Sequence, residues 1–595
     1  MTSEAKAAAS PVVMKGSGRW RWVLLGCMIT AIAGGASWWV LRPRPIDLPV
    51  IPVSELLEVP AGPDWFRDVT AESGIDFTYR NGEEADRFTI LETLGGGVAM
   101  IDYDGDGLLD LFFTGGGVFE GDSLKGRPCK LYKNLGNFKF RDVTAEVGLD
   151  KIDYYSHGAA VADFNRDGWP DLLVTGYGRL TLFRNDKGKR FIDVTADANL
   201  RDPIWATSAG WADLTGSGFP DLYICQYVDW SFANNPRCKG RDPKVERDVC
   251  TPGKFKALRH MLYRNLKDGT FQDVSGEQGL RTDGRGLGVM LVDFNGDGRP
   301  DIFVANDESQ NHLYFNRGGK LEEKALLAGV AVDEGGMPNG SMGVDVSDFD
   351  GSGRPSLFIT NFQGEIHSLF QNNGKESFSY RSRAVGIASL SRHFVAFGTA
   401  FLDVDNDGWD DLFFVNGHVD RFPVSGSPKQ VPVLLRNIDV KGRRHFQDWS
   451  KRGGKFFTTP AMGRGIAVGD LDNDGWPDAV ISNTNSSAVV LRNTAATENP
   501  ARWLGIKLIG KDSRDVAGST VVLKGTTRSL TRFARGGGSY LSASDRRLLF
   551  GLGTNEQVKS VTVRWSWGAE QTWDNLEPGS YWELREGEPA AKRMQ

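Results

Sequence analysis

One nine-residue stretch constrains this chain more than any other: Asp102-Tyr103-Asp104-Gly105-Asp106-Gly107-Leu108-Leu109-Asp110. Oxygen-bearing side chains stand at positions 1, 3, 5 and 9, and a glycine stands at position 6. Hard cations such as Ca²⁺ take six to eight oxygen ligands, and alternate aspartates around a tight turn can converge on one ion. Position 7 would add its backbone carbonyl. The pattern returns six more times, beginning at Asp163, Asp213, Asp293, Asp348, Asp403 and Asp470. One Asp-Gly turn is an ordinary hairpin turn. Seven copies in one register make a repeat array. The first loop does not fit an EF-hand, because its twelfth position is Phe113 rather than Glu and strands are expected on both sides.

Aligning the seven loops gives each position a physical role. Position 1 is always Asp and position 6 always Gly. Position 2 is always apolar (Tyr103, Phe164, Leu214, Phe294, Phe349, Val404, Leu471), so it faces a core. Position 4 is Gly or Asn except for Arg166, which suits a residue with positive φ. The expected ligands of the first loop are Asp102, Asp104, Asp106, the Leu108 carbonyl and Asp110. In the sixth they are Asp403, Asp405, Asp407, the Trp409 carbonyl and Asp411, and in the seventh Asp470, Asp472, Asp474, the Trp476 carbonyl and Asp478. The second and fourth loops replace one carboxylate by an amide. Their sets are Asp163, Asn165, Asp167, Trp169 and Asp171, and Asp293, Asn295, Asp297, Arg299 and Asp301. The third loop (Asp213, Thr215, Ser217, Asp221) and the fifth (Asp348, Asp350, Ser352, with Ser356 at position 9) keep two carboxylates each and should bind weakly, because ligand charge sets affinity. About five structural Ca²⁺ sites are expected on this reasoning.

The flanking sequence reads as four short strands per repeat. In the second repeat these are Gly158-Ala159-Ala160-Val161-Ala162, Asp171-Leu172-Leu173-Val174-Thr175, Leu180-Thr181-Leu182-Phe183-Arg184-Asn185 and Arg190-Phe191-Ile192-Asp193-Val194-Thr195. Such content makes one blade of a propeller. Glycine supplies 73 of 595 residues, well above the usual ~7%, which fits many tight turns. The fourth-strand signature F-x-D-V-T occurs at 140–144 and 191–195, with Ser at its end at 271–275, and also at 66–70, before the first loop. The seventh unit stops after its third strand at Val489-Val490-Leu491-Arg492-Asn493. Residues 66–70 are therefore expected to complete the seventh sheet and close the ring, which removes two free edges. The fold class expected is all-β, a seven-bladed propeller over residues 65–497.

Residues 22–41 carry no charge and are long enough to cross a ~30 Å hydrocarbon core as a helix. Lys6, Lys15, Arg19 and Arg21 precede the segment, which favours an inside N-terminus. The reading adopted is a 1–21 cytoplasmic tail, an uncleaved 22–41 signal-anchor and a Pro-rich 42–64 tether. A cleaved signal peptide, with an apolar region over 23–33, is the competing reading. Both send the body out of the cytoplasm, to the periplasm, the cell surface or, if cleaved, the medium. Of five cysteines, Cys238 and Cys250 share one polar insertion. They are either a disulfide, which export favours and which would contribute roughly 3 kcal/mol, or two separate thiols. The net charge of −6 includes 22 acids at loop positions, and the overall balance does not suggest nucleic-acid binding.

Beyond residue 497 the Asp nonapeptide disappears. Trp503-Leu504-Gly505-Ile506-Lys507-Leu508, Val558-Lys559-Ser560-Val561-Thr562-Val563-Arg564-Trp565 and Tyr581-Trp582-Glu583-Leu584 alternate as half-buried strands of a small all-β domain over 498–588, followed by a disordered 589–595 tail. Gly536-Gly537-Gly538 reads as a glycine-rich β-turn rather than a phosphate cradle, since no Lys-Ser/Thr or helix-forming segment follows.

The D-x-D-x-D-G-x-x-D loops between strands resemble the FG-GAP/VCBS repeats of integrin α-subunit propellers. The tail, with Arg535-Gly536-Gly537-Gly538-Ser539-Tyr540-Leu541-Ser542 and Leu549-Phe550-Gly551-Leu552-Gly553, resembles the ASPIC/UnbV domain of the cartilage acidic protein family. The resemblance implies Ca²⁺ in the loops on one side of a seven-bladed propeller and ligand contacts on the opposite face. The third and fifth loops depart from the pattern. No G-x-S-x-G, H-E-x-x-H or nucleophile with an evident base is present, so no catalytic and no organic cofactor-binding residues are assigned. The function expected is a membrane-anchored, calcium-binding recognition or adhesion module for a protein or glycan, not an enzyme. The alternatives are a carbohydrate-active enzyme or a structural component of an envelope complex.

Overall fold

Each Asp loop joins a buried first strand to a second strand that begins on the ninth loop residue, so the turn chemistry and the sheet are built from the same residues. The computed structural model describes residues 58–424, 426–497, 502–554 and 556–594. The expected 1–21 tail and 22–41 span lie outside these residues, as do 42–57 of the tether. Among the described residues no helix is long and apolar enough to cross a membrane.

Seven four-stranded antiparallel sheets occupy residues 66–493. Their first strands are Val98–Ile101, Ser156–Ala162, Ala206–Ala212, Gly286–Val292, Val344–Ser347, Ala396–Leu402 and Gly463–Gly469. Each first strand packs against those of the sheets before and after it, and the seventh packs against the first. These strands are buried nearly throughout and rich in Gly, Ala and Val, as a crowded centre demands. The seventh sheet is completed from the start of the chain: Phe66–Asp68 pairs antiparallel with Val489–Asn493, Phe66 opposite Asn493, as the offset signature predicts.

The F-x-D-V-T signature has a local cause. Asp142 Oδ1 accepts the Thr144 N–H (3.0 Å) and hydroxyl (2.6 Å), and the Thr144 Oγ1 accepts the Leu131 N–H (2.9 Å) of the third strand. Asp68/Thr70, Asp193/Thr195 and Asp273/Ser275 repeat this clasp. It ends the fourth strand and ties it to the third.

Two further four-stranded sheets follow, one ordered Leu548–Gly553, Arg502–Ile509, Tyr581–Arg585, Lys592–Arg593 and the other Ser529–Phe533, Thr520–Gly525, Val558–Arg564, Glu570–Asp574. They share an apolar core that includes Leu504, Ile506, Val521, Phe550, Val563 and Trp565. This is the small all-β unit the alternating pattern anticipates, except that the 589–595 tail expected to be disordered contributes the Lys592–Arg593 strand, with Arg593 opposite Trp582. Its glycine run is not a β-turn, as the next section describes.

Candidate metal loops and the docked C-terminal domain

The turn geometry of the loops follows the sequence closely. Position 4 has positive φ in all seven, from 52° at Asn406 to 77° at Gly296, and Arg166 adopts φ 60° despite its side chain. Position 6 is a glycine at φ 76° to 92°. A side chain is rarely tolerated in that region.

The ninth residue is a scaffold as well as a ligand candidate. Asp301 accepts the Phe294 N–H on Oδ2 (2.9 Å) and the Asn316 N–H on Oδ1 (2.8 Å). Asp110, Asp171, Asp221, Asp411 and Asp478 make the same two bonds. In the fifth loop Ser356 substitutes, accepting the Asn372 N–H on its hydroxyl (3.0 Å).

Carboxylates converge in three loops. Among the described residues, Asp102, Asp104 and Asp110, Asp403, Asp405 and Asp411, and Asp470, Asp472 and Asp478 each bring three carboxylate oxygens within 4.8 Å of one another. Positions 1, 3 and 9 form these groups. Asp106, Asp407 and Asp474, at position 5, are not part of them. The three loops are neighbours around the ring, in the sixth, seventh and first sheets.

These sites fit a hard cation. Buried Oδ1 atoms of Asp102, Asp104, Asp403 and Asp472 lack any hydrogen-bond partner, and leaving a buried charged oxygen unpaired is costly. Burial pushes Asp110 up to about 8, Asp405 to about 6 and Asp470 to about 7. It holds Asp403, Asp411 and Asp478 well above the usual carboxylate range, with neighbouring carboxylates adding to the effect. An all-oxygen donor set suits Ca²⁺ or Mg²⁺ rather than a transition metal.

A basic residue near the end of the third strand leans on each of these loops. Lys133 contacts Asp104 and lies 3.1 Å from Asp106, Arg436 is 2.5 Å from Asp405, and Arg492 is 3.0 Å from Asp472. In the second and fourth loops the position-3 amide instead donates to the position-5 acid, Asn165 to Asp167 and Asn295 to Asp297, both at 3.1 Å. Asp163 and Asp293 accept loop N–H groups at 2.7–3.1 Å, as Asp470 does in the seventh loop. Positions 1, 3 and 9 hold only two carboxylates in the second to fifth loops, so no three-carboxylate group of this kind forms there.

Sequence reasoning noted the third-strand endings but missed what their asparagines do. Each donates to the position-2 carbonyl of the preceding sheet: Asn185 to Tyr103 (2.8 Å), Asn265 to Phe164 (2.9 Å), Asn316 to Leu214 (2.9 Å), Asn372 to Phe294 (2.8 Å), Asn437 to Phe349 (2.9 Å) and Asn493 to Val404 (2.9 Å). Asn134 donates to Leu471 (2.9 Å), which closes the circle. The signal was in the sequence, an Asn recurring at one register, but the acceptor lies one repeat away.

The C-terminal unit sits on the Asp-loop face. Trp567 Nε1 donates to the Asp213 carbonyl (2.7 Å), the Asp515 N–H to Gly218 (2.9 Å), the Gly553 N–H to Asn406 (2.8 Å) and the Tyr581 hydroxyl to Asp470 Oδ2 (2.9 Å). From this unit residues 535–545 run into the centre of the ring. Gly536 bonds Trp211 (2.7 Å) and Leu291 (2.9 Å), Ser539 pairs with Val344 (2.7 and 3.1 Å), and Leu541 O accepts the Ala159 N–H (3.0 Å). Ala543 bonds Val98 (3.0 Å) and Met100 (2.8 Å), and the Asp545 N–H donates to Val468 (3.0 Å). Tyr540 stacks edge-on against Phe397 of the sixth sheet, ring centres 5.1 Å apart. Every first strand is thereby touched. The expected β-turn at 536–538 is corrected here: the glycines allow close approach, since a Cβ on Gly536 would stand 1.9 Å from the Trp211 carbonyl oxygen.

The opposite face carries the loops between second and third strands. In the third sheet this loop holds the Cys238–Cys250 disulfide, Cα atoms 5.3 Å apart. The separate-thiol alternative is excluded. Asp248, buried, accepts the N–H groups of Arg421 (3.0 Å) and Phe422 (3.1 Å), so the insertion reaches a loop of the sixth sheet.

Residues 102–174, 163–224, 259–304, 293–359 and 348–414 match the FG-GAP-like repeat, and residues 510–591 match ASPIC and UnbV. The chain is an FG-GAP-repeat protein ending in an ASPIC/UnbV domain. It is homologous over most of its length to cartilage acidic protein 1. It is 26% identical to the Xenopus tropicalis protein over 507 residues, covering 79% of this chain and 70% of that one. It is 28% identical to the Mus musculus protein over 186 residues, covering 31% and 25%. Among solved structures, an Agrocybe aegerita lectin described as recognising non-reducing terminal N-acetylglucosamine aligns over 60% of this chain and 79% of its own, at TM-score 0.36 and 17% identity. BBS1N in complex with ARL6DN aligns over 73% and 97%, at TM-score 0.36 and 9% identity.

Proposed function

We propose that the seven sheets are the blades of a calcium-stapled, seven-bladed propeller (65–497) that works as an exported recognition module for a protein or glycan, without catalytic activity. The ligand face is the one opposite the Asp loops. One observation carries this reading: the chain's own C-terminal domain covers the loop face and fills the central channel, leaving the opposite face, with its longest loops, to meet a partner. Loops on a rigid scaffold are where recognition concentrates. The ions of the first, sixth and seventh loops are structural and the most tightly held, and those of the second and fourth loops are weaker because one carboxylate is replaced by an amide.

The N-terminal 22–41 segment anchors the protein, with the body outside the cytoplasm and the 498–588 domain folded back on the propeller. A disulfide in the insertion accords with an oxidising compartment. The test uses the full chain, purified in Ca²⁺, for glycan-array and pull-down binding. Substitutions in the second-to-third-strand loops should abolish ligand capture. Capture lost only on substituting Asp-loop residues that leave the fold intact would refute this assignment.

A further inference from the structure

We propose that the cleft between the disulfide-bonded insertion and the 417–432 loop binds an anionic glycan, one bearing carboxylate or sulfate groups; this rests on the reading of that face as the ligand face. The cleft has a volume of about 330 Å³ and is lined by Arg237, Lys239, Arg241 and Lys254, with Asp248 and Asp420 at its floor. That volume lies within the ~300–1,000 Å³ of ordinary ligand sites.

The charge of the insertion is local. Between residues 237 and 256 stand seven cations and three acids, in a chain whose net charge is −6. The acids are already engaged: Asp248 with the Arg421 and Phe422 amides, Glu246 with Lys239 at 3.6 Å, and the Asp242 Oδ1 with the Lys244 N–H at 2.9 Å. Arg237 and Lys254 have no ion-pair partner among the described residues and stand exposed at the rim. Two cations without counter-ions, facing one concave site, attract an anion.

The frame is rigid. The disulfide closes the insertion, Asp248 clamps it to the facing loop, and the Arg241 guanidinium lies 4.4 Å over the Phe362 ring, where the stacked cation keeps donors free. Preorganisation of this kind lowers the cost of binding.

Asp420 decides between a glycan and a bare polyanion. It is 5% exposed, and its Oδ2 is buried in an ion pair 3.2 Å from Arg241 Nε. A carboxylate so placed disfavours a densely charged chain such as nucleic acid and tolerates a ligand whose charges are spaced by neutral sugar units. Phe422, 50% exposed in the facing loop, places an aromatic ring on the same face, and such rings pack against the apolar faces of sugars.

The experiment measures binding of the full chain, in Ca²⁺, to a sulfated oligosaccharide, an oligogalacturonate, a neutral dextran oligosaccharide and single-stranded DNA of similar charge. The wild type should bind one or both acidic glycans in a salt-dependent manner and bind dextran and DNA at least tenfold more weakly. Arg237→Glu with Lys254→Glu, both at exposed positions, should weaken glycan binding tenfold or more while leaving the melting temperature unchanged. Equal binding to DNA, or glycan binding untouched by the double variant, overturns the inference. If the wild type binds no acidic glycan but captures a neutral glycan or a protein, and substitutions on the face abolish that capture, the ligand-face reading stands and the anionic-glycan assignment falls. No binding of either acidic glycan by the wild type also overturns the assignment.

Discussion

Replacing Asn316 by Ala tests the circular hydrogen-bond belt directly. Asn316 is fully buried; its Nδ2 donates to the Leu214 carbonyl of the preceding sheet (2.9 Å) and to Pro300 (3.2 Å), and its Oδ1 accepts the Gly319 N–H (2.8 Å). Alanine leaves two buried carbonyls and one half-buried N–H without partners. At about 1–3 kcal/mol for each orphaned group, and with partial relaxation, the loss should come to roughly 3–5 kcal/mol. Asn373→Ala, one repeat away but exposed, should cost less than about 0.5 kcal/mol. Equilibrium urea unfolding in millimolar Ca²⁺, followed by tryptophan fluorescence, reads both. Asn493→Ala belongs in the same series, because Asn493 makes an equivalent set of bonds where the chain ends are joined. It should cost about as much as Asn316→Ala. A loss below about 1 kcal/mol at Asn316, or a much cheaper Asn493, would refute the argument that the members of the belt are equivalent.

Three further outcomes are expected. Calcium should raise the melting temperature and a chelator lower it, by about 2.7 kcal/mol for each site held at a hundredfold excess over its dissociation constant; Asp104→Ala should cost more than Ser352→Ala, and an indifferent melting temperature sinks the metal assignment. Gly536→Val should undock the C-terminal domain, since its β-carbon has no room beside the Trp211 carbonyl; limited proteolysis should then release the domain from the variant but not from the wild type. Acid should destabilise the protein through its buried imidazoles. Burial lowers His260 and His367 to about 3 and His418 to about 4, and the Nδ1 of each accepts a backbone N–H. Their folded pKa values lie below the unfolded one, so their contribution is present above pH ~6.5 and is lost as pH falls toward 4. His367→Gln should make the decline shallower by roughly 1.4 kcal/mol per pH unit, and an unchanged slope counts against a buried neutral His367.

How much was legible in advance depends on how far apart the interacting residues lie. The loop conformation is local: seven Asp nonapeptides with Gly or Asn at position 4 require positive φ there, and even Arg166 obeys the register. The closing strand at 66–68 could be found because one signature, F-x-D-V-T, was present once too early and absent once at the end. The geometry within the strong metal loops was less accessible. Composition singles out the three loops with four carboxylates, and these are the ones whose acids converge, but that positions 1, 3 and 9 meet while position 5 stays apart is set by side-chain packing. The cleft at Arg237 and Lys254 was hidden for the same reason, since its far wall comes from residues about 170 positions later.

The sequence by itself determined the repeating unit: a hairpin turned by an acidic loop, repeated seven times, with a two-cysteine insertion in the third copy. Its information is periodic and short-range, and a period of two along a strand or nine around a turn is read from neighbours. Only the tertiary structure decided what the Asn of each third strand bonds, where the C-terminal domain docks and what fills the ring. Those contacts join residues as far apart as Asn134 and Leu471, or Val98 and Ala543. No local pattern encodes a partner at that distance, because the partner is chosen by the closure of the whole ring.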